Sequence, residues 1–302
     1  SRSGKVRPDE LTTAEAFEVC DALARLGSRE VTVIGGEAYL RDDCEAIIRR
    51  LAGHGIRVTM QTGGRAFTID RARRFRDAGL QGLGVSVDGP AAEHDELRGN
   101  VGSHAAAVRA LRNAREVGLV LSANTQINQL NMHKLPETAT MLRELGIQTW
   151  QVQLTGPLGR AADRPDWIVQ PWHIVPIINT LAAIQHLAVK EWEADGKKGV
   201  PFNIFANNNI GYFGPHEITM RSRPYGKETH WRGCVAGIYS MGIESDGTIK
   251  ACPTLPTAPY GAGNVRQKTI ADLWESSEIM RFSRDRGTEE LWGHCKTCYY
   301  GA

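Results

Sequence analysis

The sequence predicts an α/β fold: a parallel sheet, curved or closed into a partial barrel, followed by a small α+β domain that carries cysteines. Three observations predict it. Gly27, Gly55, Gly79, Gly118 and Gly146 each close a helical apolar pattern and open a short apolar run, as a left-handed helix stop does. The runs, Val31–Ile34, Ile56–Met60, Leu83–Val87, Leu119–Ser122 and Trp150–Leu154, have strand length and many β-branched residues. Cys234, Cys252, Cys295 and Cys298 crowd into the tail.

The first helix is announced by Thr12-x-x-Glu15, a capping box. Val19, Cys20, Leu23 and Leu26 form its apolar stripe, so Cys20 reads as a small buried hydrophobe. Cys44 lies on a similar stripe with Leu40, Ile47, Ile48 and Leu51 and reads the same way. His94 and Asp95 follow the Leu83–Val87 run, where a helix-start cap is the expected role. Ile174–Val189 is the longest apolar helix candidate, but Pro176, Asn179, Gln185 and His186 interrupt it, and it does not read as a membrane span. One more strand is expected before the run Phe202 to Pro215, where Asn207 to Asn209 would border a cleft. Further on, Gly242 to Lys250 reads as two alternating strands turning at Ser245-Asp246-Gly247 and seating Cys252; Glu244 and Asp246 read as turn residues.

Alternating helices and strands imply right-handed crossovers, and such sheets bind ligands at the carboxyl ends of their strands. Those ends are polar or glycine-rich: Gly35-Gly36-Glu37, Gln61-Thr62-Gly63-Gly64, Ser86 with Asp88-Gly89, Asn124-Thr125-Gln126, and Gln153 with Thr155-Gly156-Pro157. Amides, hydroxyls and carboxylates in succession suit a polar, zwitterionic small molecule with a ribose. No Gly-x-Gly-x-x-Gly and no phosphate-binding lysine loop follows any strand, which removes the dinucleotide and nucleoside-triphosphate readings.

Composition sets the outer bounds. The 302 residues, 41% hydrophobic and 23% charged, suit one large core and a small appendage. A net charge of +2, with basic residues spread along the chain, gives no nucleic-acid footprint. Six cysteines in so long a chain make a disulfide framework improbable and favour a reducing cytoplasm.

The runs Val33-Ile-Gly-Gly-Glu-Ala-Tyr-Leu40, Thr62-Gly-Gly64, Val85-Ser-Val-Asp-Gly-Pro-x3-His94-Asp-x-Leu-Arg98-Gly99 and Pro157-x-Gly159-Arg160-Ala161 together resemble the radical S-adenosylmethionine (radical SAM) enzymes. The tail spacing, Cys234-x12-Gly247-x4-Cys252 with Cys295-x2-Cys298, resembles their SPASM extension. The resemblance implies a partial parallel (β/α)6-type TIM-like barrel over residues 1–200, a connector over 201–229, and a SPASM-type domain over 230–302.

By the same resemblance, S-adenosyl-L-methionine would be held by Gly35, Gly36 and Glu37 at its ammonium and by Ser86 and Thr62 at its ribose. Asn124 and Gln126 would lie along ribose and adenine. Arg160 would meet the carboxylate; Arg98 is the lower-ranked alternative there and reads first as a helix-face salt-bridge residue or a substrate contact. A 4Fe-4S cluster would reduce the cofactor to a 5′-deoxyadenosyl radical, and Cys234, Cys252, Cys295 and Cys298 would ligate auxiliary 4Fe-4S clusters. An electron donor such as flavodoxin or ferredoxin is implied as partner.

The family's C-x3-C-x2-C loop does not occur in this sequence, and the expectation is that this loop and the first strand precede Ser1. No catalytic residue is assigned. The expected substrate is a ribosomally made peptide, with a sugar, alcohol or aminoglycoside as alternative. A non-catalytic binding protein with one zinc ribbon on the four tail cysteines is the reading from another class.

Overall fold

A computed structural model describes residues 9–211, 213–221 and 234–298. By their contacts they divide into two compact units, one starting at Arg29, the other joining the residues up to Ser28 to those from Cys234 onward.

The first unit is a six-stranded sheet, all parallel, with its strands in sequence order. In the second unit lies α1 (Thr13–Arg25); the first then runs β1 (Glu30–Val33), α2 (Cys44–Gly53), β2 (Arg57–Thr62), α3 (Ile69–Ala78) and β3 (Leu80–Ser86). It continues through α4 (Ala91–Arg98), α5 (Ser103–Glu116), β4 (Val120–Ile127), α6 (Leu135–Glu144), β5 (Thr149–Leu154), α7 (Pro171–Ala194), β6 (Asn203–Ala206) and α8 (Glu217–Arg221). Every helix-to-strand glycine named above has a positive φ, from 73° at Gly27 to 108° at Gly79, the conformation that ends a helix and redirects the chain.

Several strands run beyond their expected ends. β3 starts at Leu80, because Gly82 and Gly84 stay in the ladder beside β2 and β4. β4 continues through Asn124 and Gln126, with Leu121, Ala123, Thr125 and Ile127 buried on the other side.

This alternation holds across the sheet and decides where chemistry sits. Val58, Met60, Leu83, Val85, Leu121, Ala123, Trp150, Val152 and Ile204 face a dry core. The opposite face carries Thr59 and Gln61, Gly84 and Ser86, Ser122, Asn124 and Gln126, then Gln151 and Gln153, in register from strand to strand. It is partly exposed and rich in side-chain amides.

The 24-residue α7 is long and apolar enough to cross a membrane by length and composition. Here it covers the sheet edge, burying Ile177, Ile178, Leu181, Ala182 and Ala188. Buried Gln185 on the same helix donates to Phe202 O at 3.1 Å and accepts from Ile204 N at 2.6 Å, satisfying backbone groups beside β6.

The second unit holds an antiparallel sheet of β7 (Gly242–Ile243), β8 (Thr248–Lys250) and β9 (Gly261–Asn264), with α9 (Thr257–Tyr260), α10 (Ile270–Ser276) and α11 (Glu278–Asp285). The hairpin turning at Ser245-Asp246-Gly247 is present, and Gly247 has φ 84°.

By its contacts α1 groups with this sheet. Leu11 N donates to Ser245 O at 2.7 Å, and Arg266 bridges Glu15 at 2.5 Å, holding that carboxyl down to about 2. An apolar stripe states that a helix packs, not on what. The capping box on Thr12 forms as read, and Cys20 is buried.

Candidate functional site

The carboxyl ends of β1 to β5 bring together most of the residues that the sequence singled out. Gly35 and Gly36 follow β1, Gly35 at φ 138°, and both are exposed ahead of Glu37. The Glu37 carboxylate accepts from Thr62 Oγ1 and, at 3.1 Å, from Gly63 N. A Cβ on Gly63 would stand 2.9 Å from Glu37 Oε1, so glycine allows this approach. Thr62 accepts in turn from Gly64 N at 2.8 Å. Its hydroxyl is buried on the helix side of the sheet and orients Glu37 rather than facing the mouth, where the ribose role had placed it.

Tyr39 completes this corner. Its hydroxyl lies 3.5 Å from Thr62 Oγ1 and accepts from Ala66 N at 3.3 Å, and burial raises the phenol above its ordinary value.

On the amide-rich face, Ser86 and Asn124 are register partners, half-buried at the mouth of the sheet. Asn124 Nδ2 donates to Gln61 Oε1 at 2.5 Å, and the Gln61 carboxamide fills the space a side chain on Gly84 would take. The other amide atom, Asn124 Oδ1, is buried with no hydrogen-bond partner. A buried acceptor left open inside a set of satisfied amides marks a place for an external donor. Further along, Gln153 accepts from Asn207 Nδ2 at 2.5 Å, while Asn209 both accepts from Leu154 N and donates to Leu154 O. Thus Asn207 and Asn209 extend the polar face past β5.

Asp88, at the tip of β3, is the hub of the site and is 3% exposed. Oδ1 accepts from Gln126 N at 2.9 Å and Oδ2 from Arg98 Nε at 2.7 Å. Its own N–H donates to His94 Nδ1 at 3.0 Å. His94 is 1% exposed, and burial pushes its imidazole down to about 4, so it is the neutral acceptor here.

Of the two residues expected to cap a helix start, Asp95 takes that role. Asp95 accepts from Gly102 N, Ser103 Oγ and His104 N, so it caps α5, while His94 sits inside α4.

Arg160 and Arg98 exchange emphasis. Arg160 Nη1 and Nη2 donate to the carbonyls of Arg98 and Leu97 at 2.5 and 2.9 Å, which closes the C-terminus of α4. Gly99 there has φ 61°, and a Cβ would stand 2.6 Å from Arg160 Nη1. Arg98, ranked second in the sequence, is the guanidinium held at the strand tip.

The sequence passed over Gln61, Asp88 and Tyr39 as individual actors. The signal for Gln61 was its alternation with buried Met60 and Thr62; nothing local announces a hub such as Asp88.

In the second unit Cys234, Cys295 and Cys298 are exposed and Cys252 is half-buried. The turn Gly293–Thr297 draws the last pair together, with Cys298 N donating to Cys295 O at 3.3 Å. Among the described residues no three His, Cys, Asp or Glu side chains converge as a metal site. The donors are thiols, the ligand type of iron–sulfur clusters, and they fit that group chemically without completing a set.

For S-adenosylmethionine the fit is closer. Carbonyls and a carboxylate at Gly35 to Glu37 suit an ammonium, and Asn124 Oδ1 awaits a donor.

Comparison with known proteins adds the following. Residues 1–145 match the model of the Radical SAM superfamily, and residues 234–299 match the SPASM iron-sulfur cluster-binding domain. The AdoMet-dependent heme synthase of Nitratidesulfovibrio vulgaris is 26% identical, across 97% of this chain and 77% of its own length. The mycofactocin maturase MftC of Mycobacterium tuberculosis is 27% identical, across 98% and 70%. Streptococcus suis SuiB bound to S-adenosylmethionine shares the fold, with a TM-score of 0.73 at 15% identity; the match covers 99% of this chain and 66% of SuiB.

Proposed function

We propose, from the premise that the chain belongs to the radical SAM enzymes and carries their SPASM iron–sulfur domain, that it modifies a peptide. Its cofactors are S-adenosylmethionine and iron–sulfur clusters. When bound, they supply a 5′-deoxyadenosyl radical that abstracts hydrogen from a substrate. The chain's own residues bind and orient. Glu37, fixed by Thr62 and Gly63, with the carbonyls of Gly35 and Gly36, receives the methionyl ammonium. Ser86, Asn124 and Gln126 line the nucleoside. Arg98, anchored on Asp88, faces the carboxylate, while Arg160 fixes the loop that carries it.

The observation that carries the peptide reading is the amide row of the inner face beyond the nucleoside residues, from Gln151 and Gln153 to Asn207. A peptide backbone offers a donor and an acceptor at nearly every residue and matches such a row. MftC is named a maturase, and SuiB has been solved with its precursor peptide SuiA.

A second reading, a tetrapyrrole, is favoured by the heme synthase relatives. A heme-type ring carries carboxylates that call for cations. On the strands of the inner face Arg57 is the cation, and it lies 3.0 Å from Glu30. A cytoplasmic setting, and a flavodoxin or ferredoxin as electron donor, belong to the same proposal.

The test uses full-length protein reconstituted with iron and sulfide without oxygen, then given S-adenosylmethionine and dithionite. Short peptides encoded beside the gene should stimulate 5′-deoxyadenosine formation and emerge with altered mass. Stimulation by iron-coproporphyrin alone would replace the peptide with the tetrapyrrole, and no 5′-deoxyadenosine with either would refute the activity.

A further inference from the structure

Lys250, at the end of β8, is 3% exposed although nothing in the proposed chemistry uses it. Its ammonium donates to Pro253 O at 3.2 Å and to Leu255 O at 2.7 Å, and it pairs with the Glu244 carboxylate. Three acceptors match its three N–H groups. Burying an ammonium is costly unless it is paired and fully hydrogen-bonded, and this one is satisfied only while residues 253 to 255 fold back over it.

Cys252 is the residue enclosed by that fold-back. On its N-terminal side the ladder fixes Lys250 opposite Gly242. On its C-terminal side Pro253 packs onto Gly242 so closely that a Cβ there would stand 2.9 Å from Pro253 Cβ. The loop has little apolar anchorage of its own, since Leu255 and Tyr260 are exposed. The buried ion pair therefore holds the part of the turn beyond Pro253, where the exposed Leu255 side chain does not.

We infer that Lys250 is a positioning residue whose ammonium clamps the Cys252–Leu255 turn and presents the Cys252 thiolate to a soft metal centre. This rests on the reading of Cys252 as an iron–sulfur ligand. The three acceptors explain why a lysine is used: an apolar residue of similar length would release both carbonyls and leave Glu244 without its ammonium.

The test measures iron per chain, and the electron paramagnetic resonance spectrum of the reduced state, in full-length reconstituted protein. Cys252→Ala is expected to lose the iron and the spectral component of one centre. Lys250→Met is expected to lose the same component and the same iron with its circular dichroism unchanged. Lys250→Met/Glu244→Gln, which also neutralises the Glu244 carboxylate, is expected to repeat that loss.

Wild-type iron and an unchanged spectrum in either folded lysine variant, beside a depleted Cys252→Ala, would overturn the clamp and leave the ligand role standing. Wild-type iron in Cys252→Ala would overturn the ligand role, and the clamp with it. Loss of fold in both lysine variants would also overturn the inference, because the ammonium would then specify the domain and not the turn.

Discussion

Gly84→Ala tests the candidate site at its centre. Gly84 lies on β3 at a negative φ, so the backbone accepts alanine, and the position carries no left-handed requirement. The added methyl would overlap first the Gln61 carboxamide, the far end of a flexible side chain. Restricting the unfolded chain gains about 0.4–1 kcal/mol, and loss of the Gln61 to Asn124 hydrogen bond costs about 0.5–1.5 kcal/mol. The two nearly cancel, so the midpoint of thermal unfolding should hardly move.

Binding is different. Once Gln61 moves, Asn124 is free to rotate, and its open acceptor no longer points where a ligand donor would meet it. One misplaced buried acceptor costs about 1–3 kcal/mol, which is roughly a 5- to 150-fold rise in Kd for S-adenosylmethionine. Titration calorimetry on the reconstituted full-length protein reads this directly. An unchanged Kd in a normally folded variant would refute the role given to Asn124, and a large loss of stability would refute the claim that the Gln61 side chain yields the space.

Four further outcomes are expected. Folding stability should fall as the pH drops from about 6.5 to about 4, because the unfolded chain takes up a proton that buried His94 refuses until its depressed value is reached. The slope approaches about 1.4 kcal/mol per pH unit for one proton, and His94→Gln should flatten denaturant midpoints measured across that window. Native-state alkylation at pH 8 followed by mass spectrometry should label Cys234, Cys295 and Cys298 quickly and Cys44 not at all, since Cys44 is buried with its thiol pushed up to about 11. Gln185→Leu should destabilise by about 2–5 kcal/mol in urea, leaving Phe202 O and Ile204 N without their partner. Gly99→Ala should cost about 1–2 kcal/mol for its left-handed backbone and also displace Arg160, raising the Km for S-adenosylmethionine more than it lowers kcat.

The fold was legible because its signals are local. A glycine with positive φ after each helix, a strand-length apolar run after each glycine and a capping box at Thr12 all act within a few residues. Glu37 and Asn124 were legible as members of polar strand tips. What the sequence could not express was the partner of each group. Thr62 and Gln61 are neighbours with the same kind of polar end, yet the pleat sends one toward Glu37 on the helix side and the other to Asn124 on the open side. Arg98 and Arg160 stand 62 residues apart, and only packing of the loop after β5 against α4 decides which holds a carbonyl and which holds Asp88.

A sheet with one dry face and one amide-lined face has to solve a problem of its own. Amides left to water would sample many rotamers, and each would lose conformational freedom when a ligand arrived. Here they hold one another: Gln61 with Asn124, Gln153 with Asn207, and Asp88 with both Arg98 and the Gln126 N–H. The ordering is therefore complete when the chain folds, and the apolar side of the same strands supplies the energy for it. A pocket built this way binds through the few groups left unpaired, chief among them the Asn124 carbonyl oxygen. Double-mutant cycles should accordingly find strong coupling within each amide pair and near-additivity between pairs. Uniform additivity throughout would mean that the amides act singly, and that the order of the inner face comes from the ligand instead of from the fold.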